Sequence, residues 1–259
     1  MKSVIMEKLE EIERDNQIKI LYAVESGSRG WGFESKDSDY DVRFIYIHKP
    51  EWYLSIQDRR DVIELPINEL LDINGWDIKK ALMLYKKSNP TLLEWLSSPI
   101  VYMEYSDFIR KLRILTQEYF SSKSCIYHYL HMAEGNYREY LKGETVRIKK
   151  YFYVLRPIMA CMWVERYGTQ PPMLFKDLMD SLQLENDLVN EIDQLLVRKK
   201  AGEEMNEEKQ IKIINEFLDE KISYFKDYVK SLDMRSETGF DGLNQLFRDI
   251  LTEAWENNY

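Results

Sequence analysis

Four residues carry the chemistry that spacing alone can suggest: Gly27 and Ser28, then Asp39 and Asp41. Side chains alternate faces along a strand, so Asp39 and Asp41 point the same way if the chain there is extended. Paired carboxylates repel each other unless a positive charge sits between them. A hard divalent cation such as Mg²⁺ meets that need, because it takes oxygen ligands and also holds substrate phosphates. Gly27-Ser28, just upstream, offers backbone N–H groups and a hydroxyl to those phosphates. Gly27 allows close backbone approach and Ser28 donates a hydrogen bond; Arg29 adds charge beside them. The plainer alternative is a surface strand of alternating charge. Arg43 shares the face of Asp41 and is placed to pair with a carboxylate or with a phosphate.

The flanking sequence supplies the elements to hold these groups. Ile18 to Val24 is apolar apart from Lys19 and reads as a buried strand, and Asp39 to Ile47 reads as a second. Residues 3–15 read as an amphipathic helix with Ile5, Leu9 and Ile12 on one side. Asp61 to Leu65 and Glu69 to Ile73 look extended, split by Pro66. Asp77 fits a helix N-cap, and Ser88-Asn89-Pro90-Thr91 ends that helix and starts another. Beyond about residue 105 the chain reads as all helix. Its clearest helix is Thr145 to Tyr167, with Ile148, Phe152, Leu155, Met159 and Trp163 as core stripe, a kink expected at Pro157, and a stop at Gly168. Residues 198–210 lack an apolar period and read as an exposed linker; 207–231 reads as a further amphipathic helix. The expected fold is α+β, with one domain over 1–105 and a helical domain over 106–259.

Composition narrows the classes. The chain has 259 residues, 44% hydrophobic, with no apolar run of bilayer length, and Met1-Lys2-Ser3-Val4 leads into a Glu-rich helix rather than a signal core. A cytoplasmic, membrane-free protein is expected. Two cysteines, Cys125 and Cys161, make neither a disulfide framework nor a zinc site, and His48, His128 and His131 show no ligand spacing. A net charge of −9 argues against indiscriminate duplex binding. A local basic run does exist: Arg138, Lys142, Arg147, Lys149, Lys150 and Arg156. Lys149, Tyr153 and Arg156 fall on one helix face.

A Gly-Ser turn, a spacer and an Asp-x-Asp strand are the signature of the polymerase-beta nucleotidyltransferase superfamily. Glu-Ser-Gly-Ser-Arg-Gly-Trp-Gly-Phe (25–33), Asp-Tyr-Asp-Val-Arg-Phe-Ile-Tyr (39–46) and Gly-Trp-Asp-Ile-Lys-Lys-Ala-Leu (75–82) resemble its RNA-repair-pathway (YcgL-like) branch. So do Ser-Asn-Pro-Thr-Leu-Leu-Glu-Trp-Leu (88–96) and Lys-Lys-Tyr-Phe-Tyr-Val-Leu-Arg-Pro (149–157). The resemblance implies a polymerase-beta-type mixed sheet with helices. It also implies transfer of a nucleoside monophosphate from an NTP to an acceptor hydroxyl, with two Mg²⁺ ions (or Mn²⁺) assisting. Asp39 and Asp41 would be metal ligands; Gly27, Ser28 and Arg29 would hold the triphosphate, with Lys149 and Lys150 from the long helix.

The superfamily also needs a third carboxylate on a later strand. Asp72, flanked by apolar residues, is preferred over Asp61, Glu64 and Asp77. An RNA 3′ end is the expected acceptor. A small molecule of the aminoglycoside kind, or a protein hydroxyl, is the alternative within enzymes. A nucleotide- or partner-binding, antitoxin-like module without turnover is the alternative outside them.

Overall fold

The computed structural model describes residues 1–66, 70–203, 207–233 and 238–256. The elements of the first part are α1 (Lys2–Asn16), β1 (Ile18–Glu25), α2 (Gly27–Gly30), β2 (Tyr40–His48), α3 (Pro50–Tyr53), β3 (Val62–Glu64), β4 (Leu71–Asp77), α4 (Ile78–Lys86), α5 (Pro90–Leu96) and β5 (Val101–Glu104). There follow α6 (Phe108–Ile114), α7 (Thr116–Tyr119), α8 (Ser122–Tyr140), β6 (Thr145–Arg147), α9 (Ile148–Tyr167), α10 (Phe175–Asp180), α11 (Asn186–Arg198), β7 (Glu207–Lys209), α12 (Lys212–Ser231) and α13 (Asp241–Glu256).

β1 and β2 are the most apolar strands and take the inner positions of a mixed sheet ordered β3-β4-β2-β1-β5. β2 runs antiparallel to β1 and parallel to β4. The parallel register places Tyr40 opposite Leu71, which sets Asp41 opposite Asp72. One sheet face packs against α1 through Ile5, Leu9 and Ile12, all buried with Ile20, Val42, Phe44 and Ile73. The expected helix, both strands and the expected caps are present: Asp77 Oδ1 accepts the Lys79 N–H at 2.8 Å and Asn89 caps α5. The opposite face carries the helices. Its buried cluster joins Leu21, Ile45 and Trp95 to Tyr129, Phe152, Phe225 and Leu246 in one continuous core.

Several expectations are corrected. β4 runs on through Gly75, where a Cβ would come within 2.2 Å of the Phe44 ring; glycine there lets β2 and β4 pack closely. Glu69 lies outside the described residues. The chain beyond residue 105 is not all helix. Thr145–Arg147 pairs antiparallel with Glu207–Lys209, so the long helix starts at Ile148 and the later one at Lys212. Pro157, where a kink is expected, is buried inside α9, which continues to Tyr167. The described residues of 198–210 are mostly exposed, as expected, but they carry structure of their own. Lys199–Glu203 continues α11 as a π-type turn, and Lys199 is only 4% exposed. Backbone pairing and one long lysine stem give this segment its order, and neither leaves an apolar period in the sequence.

Candidate active site

The site forms where β1 ends and β2 begins. Ser26 N–H donates to the Asp41 carbonyl at 2.8 Å, which pins the Gly-Ser turn against β2. Gly27 has φ +55, and a Cβ on it would sit 1.9 Å from Asp41 Oδ2. Only glycine meets both conditions, so the Asp41 carboxylate lies directly on the turn. Behind the sheet, buried Glu25 accepts the Asp41 N–H at 2.8 Å and the Tyr102 hydroxyl. Burial raises the Glu25 pKa against both bonds.

The spacer between turn and strand is locked by its own groups. Ser38 Oγ accepts the Ser35 N–H at 2.9 Å and lies 3.0 Å from Ser35 Oγ. Arg29 donates to the carbonyls of Ser38 at 2.7 Å and Asp39 at 3.1 Å, and its guanidinium stacks 3.8 Å from the Tyr40 ring. Arg29 thereby shapes the loop that carries Asp39, and its charge acts on Asp41.

Asp41 and Asp72 come together because of the parallel register. Arg43 joins them: its Nη2 lies 3.1 Å from Asp41 Oδ1 and 2.7 Å from Asp72 Oδ2, and its Nη1 donates to the Asp72 carbonyl at 3.0 Å. Burial raises the Asp41 pKa; Arg43 opposes that, while Asp72 and Asp39 add to it. Asp41 therefore feels both of the other carboxylates. The other candidates for a third carboxylate are elsewhere. Asp61 pairs with Lys80 at 3.0 Å, Glu64 pairs with Arg60, and Asp77 is buried as the cap of α4.

A cleft of about 370 Å³ opens beside the turn, with Gly27, Ser28, Asp39 and Asp41 on one wall and Lys149, Tyr153 and Lys199 on the other. Lys149 stands where the helix pattern placed it. Lys150 does not. Successive helical residues point about 100° apart, and Lys150 Nζ lies instead 3.5 Å from the Tyr140 ring centre, its pKa lowered chiefly by burial. Arg156, expected on the Lys149 face, is 1% exposed and ion-paired with Glu94. Glu94 also accepts the Trp31 indole N–H and the Tyr129 hydroxyl, each at 3.1 Å. This network ties the Gly-Ser turn to the helices. Lys199, Glu25 and the Glu94–Arg156 pair were missed from sequence. Trp31, Glu94 and Arg156 all stand inside family-like strings, but no spacing rule joins residues so far apart.

The donor set suits a hard cation: Asp39, Asp41 and Asp72 offer only carboxylate oxygen. Among the described residues, no three acidic, His or Cys side chains already converge as ligands. Asp72 Oδ2 is held by Arg43.

The family model for the RNA repair pathway DNA polymerase beta family matches residues 1–249. An uncharacterized protein, YcgL, of Bacillus subtilis (strain 168) is 50% identical over 257 residues, 99% of each chain. The crystal structure of a nucleotidyltransferase-like protein from Exiguobacterium sibiricum 255-15 aligns with 98% of this chain and 91% of its own. Its identity is 11% and its TM-score 0.32.

Proposed function

We propose the following for this chain, which belongs to the RNA repair pathway DNA polymerase beta family: it transfers a nucleoside monophosphate from an NTP to an acceptor hydroxyl, an RNA 3′ end, with the new phosphodiester O–P bond replacing the α–β phosphoanhydride bond and pyrophosphate leaving. One observation carries the reading. Asp39 and Asp41 line the cleft beside a Gly27-Ser28 turn that lies in contact with Asp41, and the strand register sets Asp72 opposite Asp41.

The roles follow from placement. Gly27 and Ser28 cradle the terminal phosphates, and Lys149 and Lys199 close over them from the helical side. Asp39 and Asp41 would hold Mg²⁺, which neutralises triphosphate charge when bound. Asp72 stands beside the place of the attacking hydroxyl and accepts its proton. Membership in the family supports a general nucleotidyltransferase; the acceptor, the metal and a cytoplasmic setting are proposals.

The test is label transfer from α-labelled NTP to pools of RNA, protein and small molecules, with Mg²⁺ or Mn²⁺ and with Asp41→Asn as control. Label in RNA that the control does not form is the expected result. Label in another pool moves the acceptor to the small-molecule or protein class.

A second reading rests on Arg43. Its guanidinium already neutralises Asp41 and Asp72, as a binding module without turnover would need. Wild-type protein that binds NTP yet labels nothing would establish it.

A further inference from the structure

A second cleft, of about 510 Å³, lies between the 52–61 segment and α4. It is far from the first. Asp41 and His48 are the two ends of β2, roughly 23 Å apart at about 3.3 Å per residue, and His48 stacks on Trp52 in the wall of this cleft at 4.1 Å and 8°. Burial lowers the His48 pKa to about 4, so an uncharged plane backs the indole.

The walls mix cations with aromatic rings. Exposed Lys79 and Met83 on α4 and Lys87 at its C-cap follow one another at i, i+4 and i+8 and form one stripe. Lys79 Nζ lies 5.9 Å from the Tyr53 ring centre, and the Arg59 guanidinium 5.7 Å from that of Trp52. Three acidic residues line the cleft: Asp58 is exposed beside Arg59, while the other two are engaged. Asp61 pairs with Lys80, and Asp77 is 1% exposed and holds the Tyr53 hydroxyl and the Lys79 N–H.

The basic run of 138–156 does not offer the same surface. Arg147 pairs with Glu207 at 3.3 Å, Arg156 with Glu94, and Lys150 sits on Tyr140. In a chain of net charge −9, a cleft that interleaves unspent cations with an indole is a feature with a ligand chemistry. Phosphates spaced along a chain suit Lys79, Lys87 and Arg59, and a base suits the Trp52 ring.

We propose that this cleft binds single-stranded nucleic acid, with backbone phosphates on Lys79, Lys87 and Arg59 and a base against Trp52. On the transfer reading the strand held here is the acceptor, but the binding does not depend on that reading.

The experiment is fluorescence anisotropy of a fluorescein-labelled oligouridylate with the full chain across a salt series. Lys79→Glu with Lys87→Gln should weaken binding at least about tenfold and lower the slope of log K against log salt by about 0.7 for each phosphate no longer neutralised. Trp52→Ala should weaken it roughly 5- to 100-fold. Lys79 is exposed in the first turn of α4, where an acidic residue suits the helix dipole, so loss of fold cannot imitate the effect. NTP binding at the first cleft should be unchanged in that variant. Equal affinity in variant and wild type overturns the proposal, as does no binding at low salt, or competition by polyglutamate as strong as by unlabelled RNA. If the wild type binds RNA here but transfers no label, the transfer reading alone fails.

Discussion

Arg43 sets the problem at the scale of single residues. A guanidinium between Asp41 and Asp72 satisfies both carboxylates in the free protein, yet the transfer reading needs Asp72 for chemistry. Asp72→Asn should therefore lower turnover at least about 100-fold and leave NTP affinity nearly intact, the pattern of an interaction made mainly in the transition state. Asp61→Asn and Glu64→Gln should leave turnover unchanged, since those side chains pair with Lys80 and Arg60. Single-turnover label transfer beside calorimetric NTP binding checks both halves, and a normal rate in Asp72→Asn would sink the assignment. Gly27, Ser28, Asp39 and Asp41 were legible because their relation is local: a turn and a period of two. Asp72 could be ranked first only by its apolar flanks, and the partner of Arg43 could not be chosen. Both depend on which residue of β4 lies opposite Asp41, which no local pattern records.

At the scale of elements, two buried charges join pieces that the sequence shows separately. Glu94 on α5 and Arg156 on α9 pair in the core, and Glu94 also orients Trp31 at the cleft. Arg156→Met leaves Glu94 buried without its partner and should cost about 3–5 kcal/mol. Adding Glu94→Gln should return much of that loss. Urea unfolding of both variants reads it directly; equal stability of the single and double variants would rule out a coupled pair. The second charge is Asp77, at the joint of β4 and α4. Burial pushes its pKa up to about 6 from an ordinary value of 3.8, against its bonds to Tyr53 and Lys79. The folded state thus favours the protonated form. Below the unfolded pKa this group does not oppose folding, and its contribution is lost as pH rises through about 6. Asp77→Asn should flatten the melting temperature between about pH 4 and 6 relative to wild type. A parallel pH profile in the variant would contradict it. The cap itself was legible from Asp77 before an apolar helix. Its burial was not, because Tyr53 and α13 arrive from distant sequence; Tyr53 packs on Phe247 of α13 at 5.0 Å.

At the scale of the whole molecule, the switch from mixed strands and helices to helix near residue 105 suggests two domains, and one buried cluster runs across that point. Trp95 stacks on Trp76 at 3.9 Å and belongs to the same cluster as Tyr129, Phe152 and Ile250. The C-terminal helix returns to the sheet: the Trp255 indole donates to the His48 carbonyl at 2.9 Å, and Glu253 meets Lys111 at 3.1 Å. Binary patterning shows which face of each element is apolar, while the choice of partner for that face is a tertiary matter. A chain ending at residue 105 would expose the α4 and α5 residues Ile78, Leu82, Leu92 and Trp95, all at most 6% exposed in the full protein. Each such side chain is worth about 1.5–3 kcal/mol when fully buried, and a domain's net stability is only about 5–15 kcal/mol. The fragment 1–105 should therefore fail to fold, and the full chain should lose helix and tryptophan signals in one coincident urea transition. A dispersed amide spectrum from 1–105, or two resolved transitions in the full chain, would show that the halves are independent after all. The first cleft would then be an interface between units that can move, rather than a fixed pocket of one core.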